Sequence, residues 1–318
     1  MEKELLEYYA GDEFPADVWK GKYAIRFHPI WELEPTAMHI RMSVELSRIE
    51  MNYSVSYHSD TSEIYKKIIA SESTTYPIKY LQRYKYIIPQ GSIMTMLGNP
   101  YTIGSLSNCF VIPSPLDSYG GIFKTDQEIA QLEKRRGGVG TNLNSLRPED
   151  TTVMNAAGTS TGAHSFMDRY SNTTREVAQN GRRGALMLLM SCEHPDIFKF
   201  VTKKSDLTRV TGANISVQLT DKFMEAALKN QDFYCFFPFS GNQIETYVET
   251  TSISYNQLTR IGSKMVMKIK AKELMDLIVE MAWSNGEPGV AFMDTVVGYS
   301  PEGVYEQFRP VASNPCGN

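Results

Sequence analysis

The chain has 318 residues, of which 42% are hydrophobic, 21% charged and 11% aromatic, ordinary globular usage that excludes a collagenous, coiled-coil or largely disordered polypeptide. Its 32 Lys and Arg against 36 Asp and Glu leave a formal charge of −4, so no global basic field exists to hold a nucleic-acid backbone, and any nucleotide bound should be small. Four cysteines, none in CxxC spacing, fit neither a secreted disulfide scaffold nor a structural zinc site.

The first residues, MEKELLEYYAGDEF, are acidic and lack the apolar stretch of a leader peptide. The most apolar run, around Ala185–Cys192, is far shorter than the ~20 residues that cross a bilayer, so a soluble, cytoplasmic protein is expected. Residues 1–87 read as a helical region. Met38, Met42, Leu46 and Ile49 fall at helical spacing behind Pro35 and Thr36, which suit a helix start. Ser62–Ile69 and Tyr76–Tyr86 continue that character. From residue 88 to 318 short apolar runs alternate with Gly-rich turns and amphipathic segments, the texture of βα units. Strands are expected near Ser107–Ile112, Gly138–Leu143, Ala185–Met190, Asn214–Gln218 and Gly289–Met293. Helices are expected over Asp126–Lys134, His164–Ala178, Pro195–Thr202, Asp221–Lys229 and Ala271–Trp283. Strands joined through helices make a parallel array, and the polar Gln231–Ser263 reads as a hairpin or excursion.

Two glycine clusters carry potential chemistry: Lys134-Arg-Arg-Gly-Gly-Val-Gly-Thr-Asn and Gln179-Asn-Gly-Arg-Arg-Gly-Ala. Glycine lets backbone N–H groups approach an anion and arginine supplies forked donors for phosphate, although glycines also cap helix ends and arginines also sit in solvent. On successive βα turns both loops would meet at the carboxyl ends of the strands, where parallel α/β folds collect their sites. Cys109 lies inside an apolar run, the setting of a small buried hydrophobe. Cys316 sits in Ser-Asn-Pro-Cys-Gly, where proline and glycine fix the backbone and can present a thiol. Cys192 and Cys235 read as structural. The five histidines form no HExxH or His/Cys cluster, so no metal site is expected.

In chain order, GDEFPADVWKGKYAI, SLSNCFVI, DSYGGI, KRRGGVGTNLNSLRP, NAAGTSTGAHSFM, TREVAQNGRRGALM, HPDIFKF, GANISV, GEPGVAFMD and SNPCG resemble the large, catalytic subunit of ribonucleotide reductase, from about Glu7 to Asn318. That family folds as a ten-stranded α/β barrel made of two parallel five-stranded halves around a finger loop. The resemblance therefore implies an α/β chain, the first half-barrel preceded by a helical region. It also implies a function: reduction of ribonucleoside di- or triphosphates to deoxyribonucleotides by thiyl-radical chemistry, with a dNTP or ATP effector setting specificity. By the same resemblance Cys316 holds the position of the thiyl radical that takes the ribose 3′ hydrogen, Asn314 bonds the substrate hydroxyls, and Cys109 is one of the redox pair. Gly91, Ser92 and Asn108 fall where substrate phosphate and ribose bind, with Gly137 and Gly138 backing the sugar; the family usually has serine at the position of Asn108. Asp117 and Ser118 match effector deoxyribose contacts, Lys134 and Arg147 match its phosphate ligands, and Gln179, Arg182 and Arg183 belong to the loop that relays effector identity to the substrate base.

Three departures from the family pattern stand out. No ATP cone precedes the helical region; Asn318 occupies the place of the glutamate that acts as general base, a role an amide cannot fill; and the second half-barrel, second redox cysteine and reducing tail are not in this sequence. They suggest a reductase divided at its finger loop, which needs a complementary carboxyl-terminal chain, since half a barrel leaves a strand edge and an apolar face open. The motifs look closest to the adenosylcobalamin-dependent enzymes, the alternative radical source being a metal-containing small subunit. A thioredoxin or glutaredoxin-type reductant and a homodimer complete the implied partners, with no nucleic acid and no membrane. The alternative to a catalytic role is a dNTP-binding remnant or regulatory protein.

Overall fold

The computed structural model describes residues 2–27, 30–57, 79–179, 182–238 and 253–315. The chain divides into two compact units, Met1–Asn108 with Gln179–Arg182, and Cys109–Ala178 with Arg183–Asn318. The division falls between Asn108 and Cys109, whereas the change of texture suggested residue 87.

In the first unit, α1 (Glu2–Tyr8) and α2 (Glu13–Lys22) precede a two-stranded ribbon of β1 (Arg26–Phe27) and β2 (Ile30–Trp31), the long α3 (Pro35–Tyr57), and the short α4 (Gly91–Met96). Asp12 caps α2 by accepting the Phe14 N–H at 3.1 Å. Pro35 opens α3, where its missing N–H costs nothing. Met38 and Met42 pack against Leu5, Trp19, Leu81, Met94 and Leu97, while Leu46, expected on the same stripe, is 38% exposed. A buried ion pair ties the elements together. Arg41 Nε donates to Glu32 Oε1 at 2.7 Å, and its other nitrogens reach the Met94 and Leu97 carbonyls. The helices expected over Ser62–Ile69 and the start of Tyr76–Tyr86 lie outside the described residues.

The second unit runs β3 (Cys109–Val111), α5 (Tyr119–Glu133), β4 (Gly138–Asn142) and α6 (Phe166–Glu176). Past β5 (Ala178–Gln179) and β6 (Arg182–Arg183), a small ribbon whose Gln179–Arg182 stretch is grouped with the first unit, come β7 (Leu186–Ser191), α7 (Ile197–Thr202), β8 (Ala213–Leu219) and α8 (Asp221–Leu228). β9 (Asp232–Phe237), β10 (Leu258–Ile261) and β11 (Lys264–Lys270) then pair antiparallel in the order β10-β11-β9, the hairpin expected for this segment, turning at Gly262 with φ +61. α9 (Ala271–Asn285), β12 (Gly289–Phe292) and α10 (Met293–Tyr299) follow. The order β12-β8-β7-β4-β3 forms one parallel five-stranded sheet, the half-barrel array. Alternation along each strand divides its two faces. Val139 and Leu143, then Leu186, Leu188 and Met190, then Ile215, Val217 and Leu219 pack against Ile122, Ile129, Met167, Tyr170, Phe200, Phe223, Leu274 and Ile278 of the helices. Free Cys192 and Cys235 are buried, and burial pushes the Cys192 thiol up to about 12.

Two expectations are corrected. α5 begins at Tyr119 rather than Asp126, because Ser118 caps it by accepting the Gly121 N–H at 3.1 Å, and Gly121 lies so close to Leu116 that a Cβ would come within 2.5 Å of it. The glycine clusters do not lie at the carboxyl ends of the strands. Each precedes its strand, β4 or β7, and in a parallel sheet both therefore reach the amino ends.

Glu133 ends α5 fully buried. Thr174 Oγ1 donates to its Oε1 at 3.0 Å, and Gly184 packs so tightly against the other oxygen that a Cβ there would lie 2.6 Å from it. Burial pushes its carboxyl from the ordinary 4.5 up to about 7, the Thr174 hydrogen bond opposing only part of the shift. The folded state thus holds the proton more tightly than the unfolded chain. The stability this confers is complete below about pH 4.5 and is lost as pH rises through 7. Glu133→Gln is expected to flatten urea-denaturation stability between pH 5 and 8 and to be about 3 kcal/mol more stable than wild type at pH 8; parallel pH profiles for the two proteins would refute this.

Candidate functional site

The face of the sheet turned away from the helices is built differently. On β4 it presents Gly138, Gly140 and Asn142, on β7 Met187, Leu189 and Ser191, and on β8 Ser216 and Gln218. Cys109 pairs in register with Gly138 and Val111 with Gly140, so the Cys109 side chain belongs to this same face. Along it lies the segment Val311–Pro315. Asn142, at the carboxyl end of β4, donates through Nδ2 to the Val311 carbonyl at 2.8 Å, and Gln218 Nε2 donates to the same oxygen at 2.8 Å. Ala312 packs on Met187 and Leu189. A Cβ on Gly140 would overlap the Ser313 carbonyl and stand 2.9 Å from the Asn314 Cα, and one on Gly138 would stand 2.9 Å from the Pro315 ring. The segment therefore runs antiparallel to β4, from its carboxyl to its amino end, in a track that exists because two side chains are missing. Asn314 and Cys109 thus share one face of the sheet. Cys316, expected to carry the radical, and Asn318 lie outside the described residues; Cys316 is the next residue after Pro315.

The other predicted substrate residues separate into local groups. Gly137 is pressed by the Phe110 ring, which a Cβ would approach to 2.5 Å, so its glycine has a packing reason of its own. In the first unit, Gly91 and Ser92 form the first turn of α4, and Asn108 Oδ1 accepts the Ser92 N–H at 3.2 Å while its Nδ2 donates to Gln90. Asn108 thereby caps α4. Ser92 is 1% exposed and its hydroxyl has no hydrogen-bond partner among the described residues. Beside Pro315 a cavity of about 210 Å³ is lined by Thr174, Arg175, Gly184, Ala185, Leu186 and Asn214 among others.

At the carboxyl ends of β3 and β4 lies a larger cavity of about 410 Å³, within the range that takes a nucleotide-sized ligand. Asp117, Ser118 and Arg147 all line it, together with Ile122, Leu146, Val153–Asn155, Thr159–Thr161 and Phe166. Arg147 Nε pairs with Asp117 Oδ2 at 2.9 Å and its N–H donates to Asp117 Oδ1 at 3.1 Å. Ser118 also starts α5, whose amino-terminal dipole adds positive potential at this wall. The structure does not bring Lys134 here: it is exposed at the opposite end of the 15-residue α5. Gln179, Arg182 and Arg183 lie in the β5–β6 ribbon. The polar wall of the cavity hangs on Asp196, which is 4% exposed and accepts the Glu149 N–H at 3.1 Å and the Ala163 N–H at 2.7 Å, thereby holding both ends of the 149–163 loop. His194, fully buried with its pKa lowered by burial, hydrogen bonds the Leu146 carbonyl at 2.8 Å. Asp196, Asn142 and Gly140 lie inside the motifs quoted above without a role assigned to any of them, and Gln218 lies just beyond one. Only the period-two glycines of GGVG mark the track, a sign of close chain approach on one strand face.

Among the described residues no group of three or more His, Cys, Asp or Glu could hold a metal ion, and no helix is long and apolar enough to cross a membrane. The family model for "Ribonucleotide reductase, barrel domain" matches residues 107–318. The vitamin B12-dependent ribonucleoside-diphosphate reductase of Thermoplasma acidophilum is 34% identical over 226 residues, covering 70% of this chain and 26% of that protein. The protein of the same name from Mycobacterium tuberculosis H37Rv is 33% identical over 225 residues, covering 70% and 28%. The ribonucleoside-diphosphate reductase large subunit of Dictyostelium discoideum is 28% identical over 196 residues, covering 59% and 22%. The chain thus spans about a quarter of the length of the curated relatives it matches. With the matched region running through the whole parallel sheet and the segment laid along it, the chain belongs to the ribonucleotide reductase family through its barrel domain.

Proposed function

We propose that this chain supplies half of the catalytic barrel and the effector site of a ribonucleoside-diphosphate reductase. The observation that supports it most is the Val311–Pro315 segment threaded along glycine-bearing β4 on the face of Cys109. Radical chemistry on a ribose needs the hydrogen-abstracting sulfur fixed within reach of one carbon and shielded from other hydrogen donors. A segment held in a tight track on a parallel sheet provides that. Cys316 acts on the 3′ hydrogen and Asn314 orients the hydroxyls. Loss of the 2′ hydroxyl as water takes two electrons and two protons from a dithiol, Cys109 and a second cysteine of a complementary chain, leaving a disulfide that a thioredoxin or glutaredoxin-type protein reduces.

The relatives' names point to a diphosphate substrate and to adenosylcobalamin, which supplies a carbon-centred radical when bound; a metal-containing small subunit is the alternative source. No step is derived through that group. A complementary carboxyl-terminal chain is supported by the β12 and β3 edges, which pair with no further strand among the described residues, and by exposed Trp283, Tyr299, Val304 and Phe308 on the last elements. Mixing the chain with such a polypeptide, adenosylcobalamin and a dithiol should reduce a nucleoside diphosphate, and Cys316→Ser should abolish turnover. An inert assembly that still binds dNTP would favour the binding-protein reading.

The 410 Å³ cavity is the proposed dNTP effector site, Asp117 and Ser118 facing the deoxyribose and Arg147 the phosphates. At a hundred times its Kd, dTTP is expected to stabilise the protein by about 2.7 kcal/mol. Arg147→Ala removes both a phosphate partner and the brace on Asp117, and should eliminate the thermal shift; a full dTTP shift in that variant would place the effector elsewhere.

A further inference from the structure

Two imidazoles flank the carboxylate of Asp196, and they differ in their freedom to take a proton. His194 is fixed as the neutral ring. Its Nδ1 accepts the Asp196 N–H at 3.0 Å, so its proton sits on Nε2, which donates to the Leu146 carbonyl at 2.8 Å. Full burial lowers its affinity for a second proton. His164 is placed differently. It lies between Gly162 and the start of α6, its side chain keeps 14% exposure, and its Nδ1 stands 3.6 Å from Asp196 Oδ2. That is beyond hydrogen-bond reach, and Nδ1, although buried, has no hydrogen-bond partner among the described residues.

The carboxylate that His164 faces carries the 149–163 loop: Oδ2 accepts the Ala163 N–H at 2.7 Å and Oδ1 the Glu149 N–H at 3.1 Å. Protonation puts an N–H on His164 Nδ1 whichever nitrogen held the proton before, and adds a positive charge beside a buried negative one. A movement of less than about 1 Å then makes a charge-assisted bond of about 2.8 Å. Residues lining the 410 Å³ cavity bracket this ring in the chain, Thr159–Thr161 before it and Phe166 after it. Ser165 Oγ donates to the Gly162 carbonyl at 2.7 Å and lies 2.9 Å from Thr161 Oγ1, so a pull on His164 reaches the cavity wall. The charged groups of the surrounding elements pair with one another: Glu149 with Lys199 of α7, Asp117 with Arg147, Asp126 of α5 with Arg169 of α6, and Asp168 of α6 with Lys203 and Arg209. Side chains of these kinds ordinarily keep their charge between pH 6 and 8. Glu193, next to His194, and Glu133, at the far end of α5, have carboxyls raised by burial, and both stay unaltered in the variants below. We infer that His164 is a proton-dependent positioning residue of the effector loop: as the imidazolium it fastens Asp196 and with it residues 149–163, so that the cavity binds its nucleotide more tightly in mildly acidic than in mildly alkaline solution. The inference rests on reading this cavity as the dNTP site, but the proton-dependent hold on the loop stands without it.

Calorimetric titration of dTTP into the 318-residue chain at pH 6 and pH 8, for wild type, His164→Phe and His164→Asn, reads the effect. The ratio of the affinities at the two pH values should be about fivefold larger in wild type than in His164→Phe, which keeps a ring and removes both nitrogens. Comparing proteins cancels the titration of the nucleotide's own phosphates. His164→Asn offers an uncharged amide at every pH, should show the same ratio as His164→Phe, and serves where the phenylalanine variant fails to fold. Because linkage is reciprocal, wild type at pH 7 should also take up more protons on binding dTTP than either variant, measured in buffers of different ionisation enthalpy. Without nucleotide, amides of residues 151–163 in wild type should be protected from hydrogen exchange about fivefold more at pH 6 than at pH 8 once intrinsic rates are divided out, and equally at both in the variants. Loop protection that is independent of pH in wild type would overturn the inference. Protection that follows pH, with equal affinity ratios in all three proteins, would overturn the coupling to the nucleotide. Protection that follows pH in a chain that binds no dTTP at either pH would refute the effector reading and leave the hold on the loop in place.

Discussion

Gly140→Ala is expected to reduce turnover of the assembled reductase by about a hundredfold or more while leaving thermal stability within a few degrees of wild type. The added methyl cannot rotate away, and the atoms it meets are backbone: the Ser313 carbonyl and the Asn314 Cα. The segment must therefore lift from β4, and a displacement of an ångström or more at Asn314 is large against the tolerance of a reacting geometry. Stability responds in the opposite direction to function. Alanine is favoured over glycine in a strand interior by about 0.5–1 kcal/mol, and the apolar core of Val139, Leu188 and Ile215 lies on the other face of the sheet, untouched. The net change in folding free energy is then small, while the catalytic geometry carries the whole penalty. Gly138→Ala should be milder, since its methyl meets a proline ring at 2.9 Å and the Ala185 Cβ at 3.4 Å, and a ring can pucker away where a backbone carbonyl cannot. Steady-state turnover and differential scanning fluorimetry on the two variants decide the matter. Wild-type turnover in Gly140→Ala would show that the segment does not occupy this track during reaction.

These glycines also show what the amino-acid sequence reveals and what it conceals. All five parallel strands are legible as short apolar runs between turn signals, because a sheet covered on one face by helices needs continuous Leu, Val and Ile at alternate positions, as in Leu186–Ser191. The start of α5 is not, since Tyr-Gly-Gly reads as a turn until one sees Ser118 capping it and Leu116 lying under Gly121. The GGVG cluster reads as a phosphate loop, and its position before β4 rather than after it follows only from the parallel topology. What packs against it is a chain segment more than 170 residues away, and no local pattern encodes that contact. The same holds for Asn142 and Val311, separated by 169 residues in sequence. Asp117, Ser118 and Arg147, which motif resemblance groups together, line one cavity, whereas Lys134, assigned with them, stands at the far end of α5.

Asp196 is where the largest loss of both stability and effector binding is expected. Its carboxylate is buried, accepts two backbone N–H groups from opposite ends of the 149–163 loop, and lies 3.6 Å from His164 Nδ1. Gly162, at φ +83, leaves the space its carboxylate fills: a Cβ there would stand 2.6 Å from Oδ2. Asp196→Ala strands one buried and one half-buried donor in a void that the loop cannot close without rearranging Val153–Thr161. Two charge-assisted hydrogen bonds to a buried carboxylate, lost together, cost about 3 kcal/mol in global stability. The loop they held forms one wall of the 410 Å³ cavity, so dTTP affinity should fall by more than about tenfold as binding energy is diverted to reordering it. Asp196→Asn keeps an acceptor oxygen and should lose less of both. The sheet face that carries Cys109 and Asn314 lies across β4 from this loop, so basal turnover without effector should persist in the variant fraction that remains folded. Calorimetric titration of dTTP together with urea denaturation measures the two losses independently. If Asp196→Ala bound dTTP with wild-type affinity while losing stability, the loop would be dispensable to the effector site and Asp196 would be a brace of the fold alone.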